Sequence, residues 1–230
     1  EVQRVPQLIL ALKLVVDRDP RPGRFLVTGS TDLVRLPTAQ DSLAGRVEGI
    51  ELHGFSQGEL ARHTERFIER LLAGDRFGGH SSSLSRSDYL ARATAGGYPE
   101  AVQRGDRRRR GLWLDNYIGR IIERDAIEIS NLQRLNELPL ILKLLAARNS
   151  GELNRASLAL DAAIPVRTLG PYLDLLEALF LIQRLPAWST NRTKRAILRP
   201  KVSLLDSGLA ARLLNVSDRG AIGEQAGGML

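Results

Sequence analysis

Residues 23–31, Gly-Arg-Phe-Leu-Val-Thr-Gly-Ser-Thr, constrain the chain most. Phe25-Leu26-Val27 is a short apolar run that stops abruptly at Thr28-Gly29-Ser30-Thr31. An apolar run bounded by turn residues is how a fully buried strand of a parallel sheet reads. In open α/β sheets the ligand sits just outside the carboxyl ends of the strands. Small hydroxyl residues at that end, Thr28 and Ser30, are therefore well placed for phosphate or water.

The flanking sequence repeats this rhythm. Pro6 suits the first turn of a helix, whose apolar face is Leu8, Ala11, Leu12, Val15 and Val16. Asp17–Gly23 is a loop; after the strand come a short helix over 38–44 and a second strand over Val47–Leu52. Helix, strand, helix, strand reads as βα units on a parallel sheet. Ser56-Gln57-Gly58-Glu59 has capping-box spacing and opens a helix to Leu72. Gly74–Ser87 is a Gly/Ser-rich break, 88–94 a short helix and Gly96-Gly97-Tyr98-Pro99 a turn. Glu100–Arg110 is polar and basic, which places a boundary near 110.

Beyond it, 111–131 reads as one helix, and the spacing then becomes that of a winged helix-turn-helix. Helices are expected over 138–148, from an Asn154 N-cap to Ala163, and from a Thr168 cap to Phe180, with Pro171 in that last helix's first turn. Leu181–Trp188 and Ala196–Leu205 read as strands joined by the basic loop 189–195. In the DNA-binding version the early residues of the third helix, here Arg167, Thr168 and Tyr172, enter the major groove. The wing, with Arg192, Lys194, Arg195 and Arg199, contacts phosphates. The third helix also carries Asp174, Glu177 and many leucines, which suits packing on a neighbouring domain. DNA and protein contact both stay open at this point.

Composition bounds these readings. With 43% hydrophobic and 26% charged residues, the 230-residue chain has the make-up of a soluble globular protein. Cysteine is absent, which excludes disulfides and thiolate metal sites and fits a reducing cytoplasm. His53, His63 and His80 are not at metal-ligand spacing. The net charge of +7 is concentrated in Arg104–Arg110 and Arg192–Lys201. Such stretches suit a polyanion or are solvated loops. The chain starts at Glu1 and its single Met is Met229, so it reads as an internal piece of a longer reading frame.

The order of segments resembles the bacterial and archaeal AAA-type P-loop ATPases that carry a C-terminal domain with a winged helix and a restriction-endonuclease-like end. The matching residues are Glu1-Val-Gln-Arg-Val-Pro, Phe25-Leu-Val-Thr-Gly-Ser, Leu43-Ala-Gly-Arg-Val, Phe55-Ser-Gln-Gly-Glu-Leu, Gly96-Gly-Tyr-Pro-Glu, Pro200-Lys-Val and Asp206-Ser-Gly-Leu. The fold class this implies is α/β plus mainly α. The C-terminal half of a parallel-sheet nucleotide domain would span 1–55, a helical lid 56–110, a winged helix 111–200 and the start of a further domain 201–230.

Under this resemblance Glu1 closes a Walker B strand and orients or deprotonates the attacking water. Ser30 is the polar sensor residue, with Thr28 as its fallback. Arg46 is an arginine finger acting across a subunit contact, which implies self-association; the plainer alternative pairs it with Glu48 or Glu51. ATP and Mg are the implied cofactors, bound by a Gly-rich loop ending in Gly-Lys-Ser/Thr. No lysine of this chain follows a glycine. The 230 residues are therefore expected to bind ATP poorly and not to hydrolyse it, the phosphate loop and Walker B aspartate lying upstream. The nuclease-like end would lack its acidic pair and lysine, for which Glu224 alone cannot stand. The expected function is part of an AAA-type ATP-binding protein that couples nucleotide binding or hydrolysis to an unknown task, DNA being one candidate partner. The alternatives are a non-enzymatic winged-helix DNA binder or regulator with a vestigial ATPase half, and a protein-interaction scaffold.

Overall fold

The computed structural model describes residues 5–30, 43–79, 81–129, 132 and 134–216. In chain order it contains α1 (Pro6–Arg18), α2 (Gln57–Leu60), α3 (Phe67–Leu72), α4 (Arg86–Ala95), α5 (Pro99–Val102), α6 (Arg107–Arg120) and α7 (Ala126–Ile129). Then come α8 (Leu138–Ala147), β1 (Gly151–Glu152), α9 (Arg155–Asp161), α10 (Val166–Ala178), β2 (Ile182–Leu185), α11 (Arg192–Ile197), β3 (Lys201–Leu204) and α12 (Ser207–Leu213). The chain divides into two compact units, one of 1–52 and 116–205, the other of 53–115 and 206–230.

In the first unit, α8 is apolar at a helical period and buries Leu138, Ile141, Leu142, Leu145 and Ala146. Asn154 caps α9 by accepting the Ser157 amide at 3.2 Å, as its sequence position predicts. α10 buries Leu169, Tyr172, Leu173, Leu175 and Leu176. The three strands form one antiparallel sheet in the order β1-β3-β2, with Ile182 opposite Leu204 and Leu185 opposite Lys201. Val202 and Leu204 turn inward to the same core. The Asn149 side chain accepts the Leu204 amide at 2.8 Å, and the Ser150 amide, at a φ of 62°, donates to Val202.

Several expectations are corrected here. Residues 25–29 form no strand, and Leu26 is 90% exposed. Val47–Leu52 is likewise not a strand, with Leu52 93% exposed. A strand holds its shape through ladder partners, and among the described residues neither segment has one. The expected helix at 38–44 falls mostly outside the described residues. α1 buries Ile9 and half-covers Leu12, Lys13 and Val16, a face rotated from the expected one. α10 starts at Val166 after a Pro165 N-cap, and the Thr168 hydroxyl donates to the Pro165 carbonyl instead of capping. Pro171 therefore lies past the first turn, where it withholds a hydrogen bond from the Arg167 carbonyl. The expected strands over 181–188 and 196–205 shorten to β2 and β3, because Asn191 accepts the Lys194 amide and starts α11 between them.

In the second unit the capping box forms as the sequence predicts, Ser56 Oγ accepting the Glu59 amide and Glu59 accepting that of Ser56. The helix stops after one turn, however, at Leu60. Glu65 folds back to accept the Gly58 amide at 2.9 Å, and Arg62 takes a φ of 54°. α4 begins with a second box, Ser85 with Asp88.

The centre of this unit is Asp206, the one buried charged side chain among the described residues. Its carboxylate accepts the Gly97 amide at 2.7 Å and, as N-cap of α12, the Leu209 amide at 2.7 Å. Burial pushes this carboxyl above its ordinary value, while the amides of Gly97, Leu209, Tyr98 and Gly208 oppose that shift. Gly96, at a φ of 71°, brings its backbone so close that a Cβ would stand 2.4 Å from the carboxylate. A Cβ on Gly97 would stand 2.3 Å from the Phe55 carbonyl oxygen, and the Phe55 amide donates to the Gly97 carbonyl at 2.7 Å. Ser207 Oγ donates to the Ala93 carbonyl at 2.7 Å, holding α12 on α4.

Removing a buried acceptor strands its donors, at roughly 1–3 kcal/mol each. Asp206→Ala should therefore lower unfolding stability by about 3 kcal/mol, read as the urea midpoint of the second unit's transition. A loss below about 0.5 kcal/mol would mean that this carboxylate is not what ties the two segments.

Candidate functional site

The basic residues foreseen for the wing converge on α11 and the strand after it. Asn191 starts this helix, and its six residues carry Arg192, Lys194 and Arg195. Arg199 and Lys201 follow, and all five side chains are exposed. From Pro186 to Leu205 the chain has these five cations and no Asp or Glu. Among the described residues none of the five is ion-paired. The segment itself therefore carries a concentrated positive charge.

Arg167 is exposed in the first turn of α10 and Thr168 is half-buried. Tyr172 is not available to a partner: it is buried and its hydroxyl donates to the Arg134 carbonyl at 3.0 Å. Desolvation raises the Tyr172 hydroxyl above its ordinary value. Sequence reading also passed over Arg155, whose guanidinium lies 2.7 Å from where a Gly170 Cβ would stand, over the early turns of α10.

Arg184 is the other residue it passed over. From β2 its guanidinium reaches Glu177 at 2.5 Å and Asp174 at 2.7 Å, and its amide donates to Glu177. The two acids that weighed against polyanion binding by α10 are thus both engaged by this guanidinium, which offsets one of their two charges. Desolvation lowers the Arg184 pKa, but its carboxylate partners outweigh this and the net shift is upward.

Glu1 lies outside the described residues. Thr28 and Ser30 lie in an exposed irregular stretch, and no hydrogen bond joins Ser30 to Arg46 among the described residues. The partner of Arg46 is Asp17, from the last turn of α1: Nε stands 2.5 Å from its carboxylate, while Nη1 donates to the Ala44 carbonyl at 3.0 Å. Sequence neighbours had suggested Glu48 or Glu51; Asp17 is 29 residues away. Arg46 holds the Asp17 carboxyl below its ordinary range, with Lys13 adding to the effect. No group of three or more His, Cys, Asp or Glu among the described residues could hold a metal ion. No helix among them is long and apolar enough to cross a membrane.

A carboxyl with a depressed folded-state pKa stabilises above its ordinary value and loses that contribution as pH falls through the depressed one. The carbon-13 titration of Asp17 should therefore show a lowered midpoint that moves back up in Arg46→Ala. An unchanged midpoint in that variant would dissolve the pair.

Comparison with known proteins gives two family matches. Residues 86–220 match the family described as Domain of unknown function (DUF8612), and residues 1–61 match an AAA domain. Uncharacterized protein Rv2008c of Mycobacterium tuberculosis and Uncharacterized protein Mb2031c of Mycobacterium bovis are each 31% identical over 224 residues. Those alignments cover 96% of this chain and 45% of each relative. The chain thus spans less than half the length of the curated relatives it matches. No solved structure matches it. With a match over 86–220, more than half of its 230 residues, and an AAA-type stretch at 1–61, the chain belongs to the DUF8612 family.

Proposed function

We propose that this sequence works within an AAA-type ATP-binding protein that couples nucleotide binding or hydrolysis to a task on DNA. Residues 138–205 would act there as a winged helix. The observation that carries the nucleotide half is the AAA-domain match of residues 1–61. The DNA half is supported by three helices with an antiparallel β1-β3-β2 sheet, whose β2–β3 connection bears unpaired cations. Arg167, in the first turn of α10, Arg155, at the start of α9, and Arg192, Lys194, Arg195 and Arg199, on the connection, are the residues we assign to phosphates and base edges.

The residues present do not by themselves fit ATP and Mg. The chain has no Gly-Lys-Ser/Thr loop, and Arg46 is engaged by Asp17. Both cofactors, and self-association through the AAA domain, are assigned to the protein as a whole, and no hydrolytic step is derived from these side chains. That same engagement of Arg46 favours the second reading, a non-enzymatic DNA-binding regulator with a vestigial ATPase half.

Titration of labelled duplex DNA tests the DNA half. Changing Arg192, Lys194 and Arg195 together to Gln should weaken binding at least about tenfold and reduce the salt slope by about three. Unchanged affinity would remove the wing from the reading. Nucleotide turnover by the complete reading frame separates the two proposals. Arg46→Ala should lower turnover by about 10³-fold and leave nucleotide affinity in place if Arg46 is a finger. Absence of nucleotide binding in the complete reading frame would favour the regulator.

A further inference from the structure

We propose that the connection between β2 and β3 is a stacking platform for an unpaired base, so that the nucleic acid it takes has a single-stranded stretch. This rests on the DNA reading above and names the form of DNA.

The feature behind it is Trp188, which is 76% exposed at the head of the connection. An indole left this open to water normally has a partner to cover it, because aromatic side chains carry a large apolar payload. Its setting says which kind. The Arg195 guanidinium lies over the Trp188 ring at 5.5 Å. That arginine is itself placed, since its Nε donates to the Ser189 carbonyl and its amide closes a turn of α11 onto Asn191. Indole and guanidinium therefore form a held pair of flat groups, with most of the ring open to solvent.

Four more cations, Arg192, Lys194, Arg199 and Lys201, are exposed within the same short segment, which itself holds no Asp or Glu; only Lys201, in β3, has a carboxylate residue opposite it, Glu152 of β1. A ligand that suits both features is planar and anionic at regular intervals. A nucleic-acid strand has that chemistry: its bases offer π-faces to aromatic and guanidinium planes, and its phosphates meet the cations. In a duplex interior the base faces are covered by their neighbours. The indole can use one only where the strand is unpaired or the duplex ends. An acidic peptide would satisfy the cations and leave the indole without a role.

The test uses the full chain with two fluorescein-labelled probes, an oligothymidylate and a blunt-ended duplex of the same length, at one ionic strength. Trp188→Ala should weaken oligothymidylate binding by about tenfold or more while changing duplex affinity less than about twofold. Trp188→Phe, which keeps a ring, should retain most of the single-strand affinity. In a Trp113→Phe background the remaining tryptophan fluorescence should be quenched by the oligothymidylate.

If Trp188→Ala has no effect, or weakens both probes equally, while the triple Gln variant still loses duplex binding, the stacking proposal falls and the DNA reading stands. A Trp188→Phe protein no better than Trp188→Ala also overturns stacking. If the wild-type chain binds neither probe, both readings fall together.

Discussion

Asp206 joins segments 109 residues apart in sequence, and the second unit depends on how its charge is accommodated. A carboxylate loses water on burial at a cost of several kcal/mol unless donors replace the solvent. Here the replacement comes from the backbone, from the Gly97 amide on one side and the first turn of α12 on the other. That arrangement requires backbone at a distance that no side chain permits. A Cβ at Gly208 would stand 2.8 Å from the Ala95 carbonyl and one at Gly54 would stand 2.9 Å from the Gly97 carbonyl carbon. The glycines around Asp206 are thus a consequence of one buried charge. Arg212, paired with Asp115 at 2.5 Å, fixes α12 again within the same unit.

The first unit rests on a different constraint, the position of β3 between its two neighbours. A central strand must satisfy donors and acceptors on both edges, and Lys201–Leu204 does so with β1 and β2. Asn149 completes the accounting by supplying an acceptor for Leu204 where β1 has already ended. This leaves the chain between β2 and β3 outside the ladder. A segment freed from pairing can carry a short helix and four cations, Arg192, Lys194, Arg195 and Arg199, without disturbing the core beneath it. Arg184, at the root of that segment, engages both acids of α10 and offsets one of their two charges.

How far these features were legible in the sequence depended on how far apart their partners lie. The capping box at Ser56, the Asn154 cap and the apolar face of α8 are contacts within one or two turns, and local spacing carries them; the Ser85 box, equally local, was read as part of a Gly/Ser-rich break. The helix expected to continue from Ser56 to Leu72 failed because Glu65 returns to Gly58, a choice that propensity does not encode. Phe25-Leu26-Val27 has the composition of a buried strand, but composition supplies no ladder partner. Of the candidate site, the wing arginines were visible as a charge run. Arg184 and Asp17 were not, because their partners lie 7 to 29 residues away and become neighbours only after folding. Trp188 was read as the end of a strand, and Asn191, by starting a helix, is what placed it outside the sheet.

The two basic stretches look alike in sequence and differ in what their charges do. In Arg104–Arg110, Arg104 pairs with Glu100 at 3.0 Å and lies 5.6 Å over Trp113. Arg110 donates to the carbonyls of Ala101 and Arg104. Asp106 accepts the Arg109 amide at 2.8 Å at the start of α6. Much of that stretch therefore stabilises its own turn, the bland outcome for an arginine-rich loop. In Arg192–Lys201 the side-chain partners of the arginines among the described residues are one carbonyl and one indole, neither of which removes a charge. Guanidinium and ammonium groups that keep their full charge at the surface release counterions when a polyanion arrives, which drives such binding.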